Sequence, residues 1–277
     1  METFGSSHYV VATGVQQVVA LLSAPLNPSH IHLSSSITSM SPSPSSTSST
    51  RLIFSSTSPA LDFDHVVLAT QANQAAVLLR LLRDTLPSAS LQKAEQGRID
   101  ALGSFEYTKS LVVNHRDSSL LPSNAHDRRD LNLASFAPGV EDQGTKHTLP
   151  STAIQSTHII SRTHPHLGPA CELLQTTNPI VRVDPSLVLS ETWYERAKVT
   201  RGSKAVLPRF LLDGAKSRRK KEGVTRRGDL QGQRGIWLVG SWCARGIPLL
   251  EGCVVSAERA VLQIARVEGA VGTVIAF

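Results

Sequence analysis

Residues 235–267 constrain the fold more than any other part of the chain, because a short apolar strand, a glycine-bearing loop and a helix follow one another there. The strand is predicted over residues 236–239 and ends at Gly240. The helix is predicted to begin at Leu250 or Glu251, and Gly252 in its first turn permits close backbone approach. Free N–H groups and the positive end of the helix dipole would then face whatever fills the adjacent crevice. One helix face carries Val254, Ala257, Val261 and Ile264.

Upstream of this segment the chain alternates between helical and strand patterns. Residues 14–23 and 71–82 show helical spacing, and residues 64–70 form an apolar run that predicts a strand buried on both faces. Because this strand leads straight into the second helix, it indicates half of a parallel α/β unit. The other predicted elements are a helix over 91–102 and strands over 105–114, 155–161 and 193–200.

A tract of low complexity interrupts the first third of the chain. All ten residues from Ser41 to Thr50 are Ser, Pro or Thr, and such a tract cannot bury enough apolar surface to offset its ordering entropy. We therefore expect a flexible loop here. The apolar residues 31–33 and 52–54 on either side predict the two strands of a hairpin with an expanded tip.

The positive charge of the chain is concentrated in one place. The 277 residues include 28 Lys or Arg and 22 Asp or Glu, which gives a formal net charge of +6. Eight basic and three acidic side chains lie between Asp213 and Arg234, so this segment supplies five of those six charges. Nucleic-acid binding by Lys216 to Arg227 is one alternative, but no aromatic residue interleaves with the basic run. A solvated loop is the favoured interpretation.

Other site types find little support in the sequence. No apolar run is long enough for a membrane helix and no basic region precedes the first apolar stretch, so we expect a soluble, cytoplasmic protein without membrane contact. No metal site is predicted from the histidines His158, His164 and His166. The cysteines are expected to be small buried hydrophobes rather than nucleophiles; they are Cys171, Cys243 and Cys253. Trp193 and Tyr194 are expected in the core, with a substrate cavity as the alternative. No catalytic residue can be named.

The C-terminal motif resembles the flavin-binding signature of FAD-dependent amine oxidoreductases. The matching residues are Gly240-Ser241, then Leu250-Glu251-Gly252-Cys253, then Ser256-Ala257. The family usually has an acidic residue after the first glycine, where this chain has Ser241. The resemblance implies that FAD is contacted by Gly240, Ser241, Pro248, Leu250, Glu251 and Gly252.

The resemblance extends toward the N-terminus. Residues 14–17 and the segment 31–38 are similar to the family passage that ends in an adenine contact, which implies that role for the backbone of Ile37. Residues 115–117 and 175–179 are similar to passages of a fungal and bacterial branch. Nothing matches the family's Gly-x-Gly-x-x-Gly motif, so the likeness is to the C-terminal portion of such an enzyme.

The predicted fold class is α/β, with a partial FAD/NAD(P)-binding Rossmann-like domain and an inserted α+β region similar to a substrate domain. The FAD-binding parts are expected at residues 1–85 and 230–277, and the inserted region at 86–229. The implied reaction, if the cofactor site is retained, is hydride transfer to flavin from a C–H beside an amine of a small-molecule substrate. The alternatives are an inert remnant or interaction protein of that family, and a basic nucleic-acid-associated protein.

Overall fold

The computed structural model describes residues 11, 14–46, 48–55, 59–135, 154–164, 172–212 and 228–270. The α-helices are α1 (Val15–Ser23), α2 (Ala72–Thr85), α3 (Ala89–Gly103), α4 (Ile160–Thr163), α5 (Arg201–Val206) and α6 (Leu250–Val267). The strands are β1 (Ile37–Pro42), β2 (Thr50–Phe54), β3 (Leu61–Phe63), β4 (Val66–Leu68), β5 (Tyr107–His115), β6 (Leu131–Ser135), β7 (Ile154–Ile159), β8 (Leu174–Thr177), β9 (Val188–Ala197) and β10 (Ile236–Leu238). This mixture of helices and sheets confirms the predicted α/β class. None of the described helices is long and apolar enough to span a membrane.

The chain divides into two compact units. One comprises Met1–Ile31 and Lys109–Arg196, and the other comprises His32–Thr108 and Ala197–Phe277. We call them the five-strand unit and the motif unit. The five-strand unit contains nearly all of a sheet with the order β6-β7-β8-β5-β9, whereas the motif unit contains the antiparallel sheet β1-β2-β3 and the parallel pair β10-β4.

Helix α2 of the motif unit shows how the sequence pattern produces the core. Its alanines and leucines recur at the spacing of one helix face, and the buried members are Ala72, Ala75, Ala76, Leu79 and Leu82. They pack into one apolar cluster with Leu68 of β4, Leu102 of α3 and Leu238 of β10. The predicted helices over 71–82 and 91–102 are therefore confirmed, and their buried faces join two distant strands into one core.

The hairpin forms, but its first strand was predicted in the wrong place. Strand β1 (Ile37–Pro42) pairs antiparallel with β2 (Thr50–Phe54), whereas residues 31–33 lie outside the strands. Part of the Ser/Pro/Thr tract is ordered and buried, because its hydroxyls find partners. Ser49 Oγ donates to Asp64 Oδ1 at 2.8 Å, and Thr50 Oγ1 donates to the Arg234 carbonyl at 3.1 Å. The tract is thus a shorter loop than the sequence predicts.

Strand β4 is also less buried than predicted. Val66 and Leu68 are buried, but Val67 between them is 44% exposed. Val66 and Leu68 contribute to the apolar cluster shared with α2, so one side of the strand supplies the core and the middle residue does not. The expectation that both faces are buried was wrong at Val67.

The five-strand unit combines small apolar clusters, which include Val113 and Ile159, with a buried polar group. Trp193 and Tyr194 on β9 are 48% and 51% exposed, so the prediction that they pack in the core was wrong. The fully buried His115 binds Thr176 across the β5–β8 pair, with 2.7 Å between Nε2 and Oγ1. Thr176 in turn lies 2.9 Å from Thr157 of β7, oxygen to oxygen. The two sequence passages that contain His115 and Thr176 are therefore adjacent in space.

A buried ion pair lies against β10 in the motif unit. Arg98 of α3 is fully buried, and its Nη2 donates to the Ile236 carbonyl at 3.0 Å. Its Nη1 is 3.7 Å from Oε1 of Glu95, and neither of these atoms nor Arg98 Nε has a hydrogen-bond partner among the described residues. Desolvation lowers the pKa of Arg98 to about 10 and raises the pKa of Glu95. Burial therefore disfavours the charged form of each partner.

We expect R98M to destabilise the protein by about 3 kcal/mol or more, because it leaves the Glu95 carboxylate buried without a partner. The double variant E95L/R98M should recover most of that loss, since it removes both desolvated charges together. Urea unfolding monitored by circular dichroism measures both effects. R51M, which breaks the exposed Arg51–Asp62 pair, is the control and should change little. A double variant as unstable as R98M would contradict the proposed cost of burial.

Acidification should destabilise the five-strand unit through His115. Burial lowers its pKa below the ordinary value of 6.5, because desolvation disfavours the imidazolium. Since Nδ1 accepts the Asp117 N–H at 3.1 Å, Nε2 carries the proton and donates to Thr176. The unfolded state binds the extra proton more tightly than the folded state does. The contribution of neutral His115 to stability is therefore complete above its pKa in the unfolded state and decreases as the pH falls below that pKa. Urea midpoints at about pH 7.5 and about pH 5 should differ more for the natural protein than for H115Q.

Candidate functional site

The end of β10 is shaped by a glycine that another residue could not easily replace. Strand β10 runs parallel to β4, and the Val239 N–H continues the pairing by donating to the Leu68 carbonyl at 3.2 Å. Gly240 then has φ of +143°, a conformation that residues with a side chain rarely adopt. A Cβ added there would lie 3.0 Å from Trp242 Nε1. Gly240 is therefore required by the backbone path at the strand end.

Hydrogen bonds of Ser256 hold helix α6 against the end of strand β10. Its buried hydroxyl accepts the Gly240 N–H at 2.9 Å and lies within donating distance of the Gly240 carbonyl, at 3.2 Å, and of the Cys253 carbonyl, at 3.0 Å. One turn further, Ala260 packs against Trp237 and Val239. The serine of the sequence motif thus determines which side of the helix faces the strand.

The apolar helix face predicted from the sequence is only partly buried: Ile264 packs against the cluster of Trp237 and Val239, but the two valines do not. Val254 and Val261 are 62% and 59% exposed, whereas Ser256 and Ala260 are the buried residues of α6. The helix is oriented by the hydrogen bonds of Ser256 and by the small Ala260, which allows close approach to the strand. Hydrophobicity alone would have placed the helix in a different rotation.

Gly252 brings the first turn of α6 into contact with the loop. A Cβ at this position would lie 3.0 Å from the Ala244 Cβ and 3.1 Å from the Ser241 carbonyl oxygen. Of the residues predicted to contact a cofactor, Gly240, Ser241 and Gly252 are therefore brought together by short contacts. The two glycines have an evident role in packing, and their direct contact with a cofactor stays a prediction.

The start of α6 is open to solvent and lacks a side-chain cap. Leu249 occupies the N-cap position without any capping hydrogen bond, and Leu249, Leu250 and Glu251 are exposed. The Gly252 N–H donates to the Leu249 carbonyl, so the N–H groups of Leu250 and Glu251 and the positive end of the dipole can face an electron-rich group. This arrangement fits the pyrimidine edge of a flavin ring, where negative charge develops on reduction.

The remaining predicted contacts lie in different places. Pro248 lines a cavity of about 240 Å³ in the motif unit. Ile37 is the first residue of β1, is partly buried against the apolar cluster and pairs with Phe54. Among the described residues, no backbone hydrogen bond joins Ile37 to the start of α6, and its adenine contact stays a prediction.

Two positioning residues have no counterpart in the sequence predictions. The buried Gln231 side chain accepts the Leu238 N–H and donates to the Leu238 carbonyl, both at 2.8 Å, so it occupies the edge of β10 opposite β4 as a neighbouring strand would. Trp242 donates from Nε1 to the Thr70 carbonyl at 2.9 Å. Gln231 lies in a polar loop without periodicity and gave no signal. Trp242, in an otherwise recognised motif, could have been identified as a buried anchor by its size.

Burial disfavours a reactive thiolate at Cys243, and the described histidines are not part of a metal-binding cluster. Cys243 is buried, and desolvation raises its pKa to about 12, which opposes formation of a nucleophilic thiolate. Among the described residues, no group of three or more His, Cys, Asp and Glu side chains could hold a metal ion. Cys171, His166 and the basic run from Lys216 to Arg227 lie outside the described residues.

Comparison with known proteins agrees with these features. The sequence model of the flavin-containing amine oxidoreductase family matches residues 1–265, and the chain therefore belongs to that family. This confirms the resemblance recognised in the sequence. A comparison with curated proteins found no match.

Two solved structures align with the chain at low sequence identity, and the first of them, with the higher TM-score, supports a similar fold. A protein assigned as a protoporphyrinogen oxidase from Exiguobacterium sp. 255-15 aligns with a TM-score of 0.53 and 14% identity, over 94% of this chain and 52% of its own. A reduced UDP-galactopyranose mutase aligns with a TM-score of 0.42 and 12% identity, over 80% of this chain and 45% of its own. The chain thus spans about half the length of these two structures.

We expect G252A to destabilise the protein by about 1 kcal/mol, because the added methyl group would crowd Ala244 and Ser241. In a helix this exchange normally stabilises by about 0.5–1 kcal/mol. G97A in α3 provides the matched control, since a Cβ there meets nothing within 4 Å. Thermal unfolding of both variants should therefore give changes of opposite sign. If both variants were stabilised equally, the close contact at Gly252 would be refuted.

Proposed function

We propose that the chain acts as an FAD-dependent oxidoreductase similar to amine oxidases. The observation that carries the proposal is the uncapped, exposed start of α6, held against the end of β10 by Ser256 and Gly252. Family membership supports the same assignment. The chemistry that bound FAD supplies is acceptance of a hydride from a substrate C–H beside an amine.

In this proposal the residues of the chain bind and orient the cofactor. The N–H groups of Leu250 and Glu251 would donate to the pyrimidine edge of the ring, and the helix dipole would stabilise negative charge there. Gly240, Ser241 and Gly252 would position that helix start, while Pro248 would shape the adjoining loop. The backbone of Ile37 would bind the adenine.

Leu250 offers a sharp test of this arrangement. Proline is tolerated at the first position of a helix, and Leu249 before it already has the extended φ and ψ of −121° and 167° that a following proline requires. L250P therefore removes one free N–H while the helix is retained. We expect it to weaken FAD binding about tenfold, whereas L250A, which keeps the N–H, should bind FAD as the natural protein does.

The measurement is incubation of the full chain with FAD, removal of free FAD by gel filtration, and titration followed by flavin absorbance and fluorescence. A colourless protein that cannot be reconstituted would overturn the proposal and favour an inert or interaction role. Retained FAD with equal affinities for L250P and L250A would place the cofactor away from the start of α6. Anaerobic bleaching of bound flavin by amines would then test the substrate class.

A further inference from the structure

A cavity of about 240 Å³ in the motif unit combines an apolar wall with two lysines. The wall includes Phe105, Trp242, Leu207 and Ile247, and the lysines are Lys198 and Lys204. We propose that this cavity binds a small carboxylate that carries a single apolar ring. Pro248, which the proposed function assigns to the flavin loop, also lines this cavity, but binding of the carboxylate does not require a bound flavin.

The apolar wall is preformed. Phe105 and Trp242 are 6% and 4% exposed, and their rings meet edge to face with 4.8 Å between centroids. The hydrogen bond from Trp242 to Thr70 holds the indole in place. Ile247, by contrast, is 74% exposed, so its side chain offers apolar surface that a ligand can cover. A rigid aromatic wall beside an exposed aliphatic side chain favours a flat apolar body over a polar one.

The charges around the cavity favour an anion. Two lysines contribute to its lining, and no aspartate or glutamate does. Lys198 Nζ lies 3.5 Å from Glu106, so its charge is partly balanced. Lys204 is exposed and forms no ion pair with an acidic residue in the described parts of the chain, so no carboxylate there balances its charge. A carboxylate would gain a charge-assisted hydrogen bond there, whereas an ammonium group would be repelled.

The volume limits the size of the apolar part. Pockets for drug-sized ligands begin at about 300 Å³, and this cavity is smaller. It therefore accommodates a single ring with a short acidic arm. Phenylacetate has this chemistry, and phenylacetamide and phenethylamine provide a neutral and a cationic analogue with nearly the same body.

The test is isothermal titration of the full chain with these three compounds in the absence of added FAD. Phenylacetate should bind about tenfold more tightly than phenylacetamide, and phenethylamine should bind most weakly. K204M should reduce phenylacetate binding to the level of the amide and leave amide binding unchanged, while K204R should restore it. K93M, which removes an exposed charge from α3, should leave all three affinities unchanged.

A second variant separates binding in the cavity from binding elsewhere. Val199 is 44% exposed and lines the cavity, so V199W should fill the space without disturbing the core and should abolish binding of phenylacetate and of the amide. The proposal is overturned if none of the compounds binds, if all three bind alike, or if K93M weakens binding as much as K204M. Competition by riboflavin would also overturn it, because the cavity would then belong to the flavin site. Retention of FAD by the protein is measured separately, so failure here leaves the proposed oxidoreductase function unaffected.

Discussion

The parallel pairing of β4 with β10 is the interaction on which the motif unit depends. It joins Val66–Leu68 to Ile236–Leu238 across most of the length of the chain. A two-stranded parallel pair leaves each strand with an unpaired edge, and buried backbone groups there must find other partners. On β10 these partners include the side chains of Gln231 and Arg98 and the backbone N–H of Gly232. Strand β10, with only three residues, can therefore support the loop and helix that follow. One of its partners, Arg98, is a buried charge whose desolvation is unfavourable.

The residues of the flavin-like motif divide into those that shape the backbone and those that can meet a ligand. Gly240 is required by its positive φ, Gly252 by its contact with the loop, and Ser256 by its hydrogen bonds to Gly240. What remains available to a cofactor is the backbone at Leu250 and Glu251, where no side chain caps the helix. The most recognisable residues of the motif thus serve packing, and in the proposed function the cofactor contacts are made by N–H groups that the residue types do not reveal.

Much of the fold could be predicted from the sequence, because α2, α3, β10 and α6 have clear periodicity or clear glycine boundaries. Three features could not. The strand β1 includes Ser41 and Pro42, since ladder hydrogen bonds and Asp64 compensate for the low hydrophobicity of the tract. Helix α6 turns Ser256 inward, where its hydroxyl bonds the N–H and the carbonyl of Gly240, while Val254 and Val261 stay exposed. The Gln231 side chain, from a loop, hydrogen-bonds the free edge of β10 at Leu238. Such a contact depends on the tertiary structure and leaves no pattern in the sequence. Of the candidate site, the sequence indicated the strand, loop and helix start but not the cavity beside Pro248.

The loop between Ser241 and Leu250 connects two features that both favour negative charge. On one side, the uncapped start of α6 presents the positive end of a dipole, which acts only within the first turn. On the other side, Lys198 and Lys204 line the cavity that Gly246, Ile247 and Pro248 help to enclose. The two groups favour different ligands. The end of a helix dipole interacts with delocalised negative charge, whereas a lysine ammonium binds a compact anion. In the two proposals the same loop therefore adjoins an electron-rich ring and a carboxylate that use different donors.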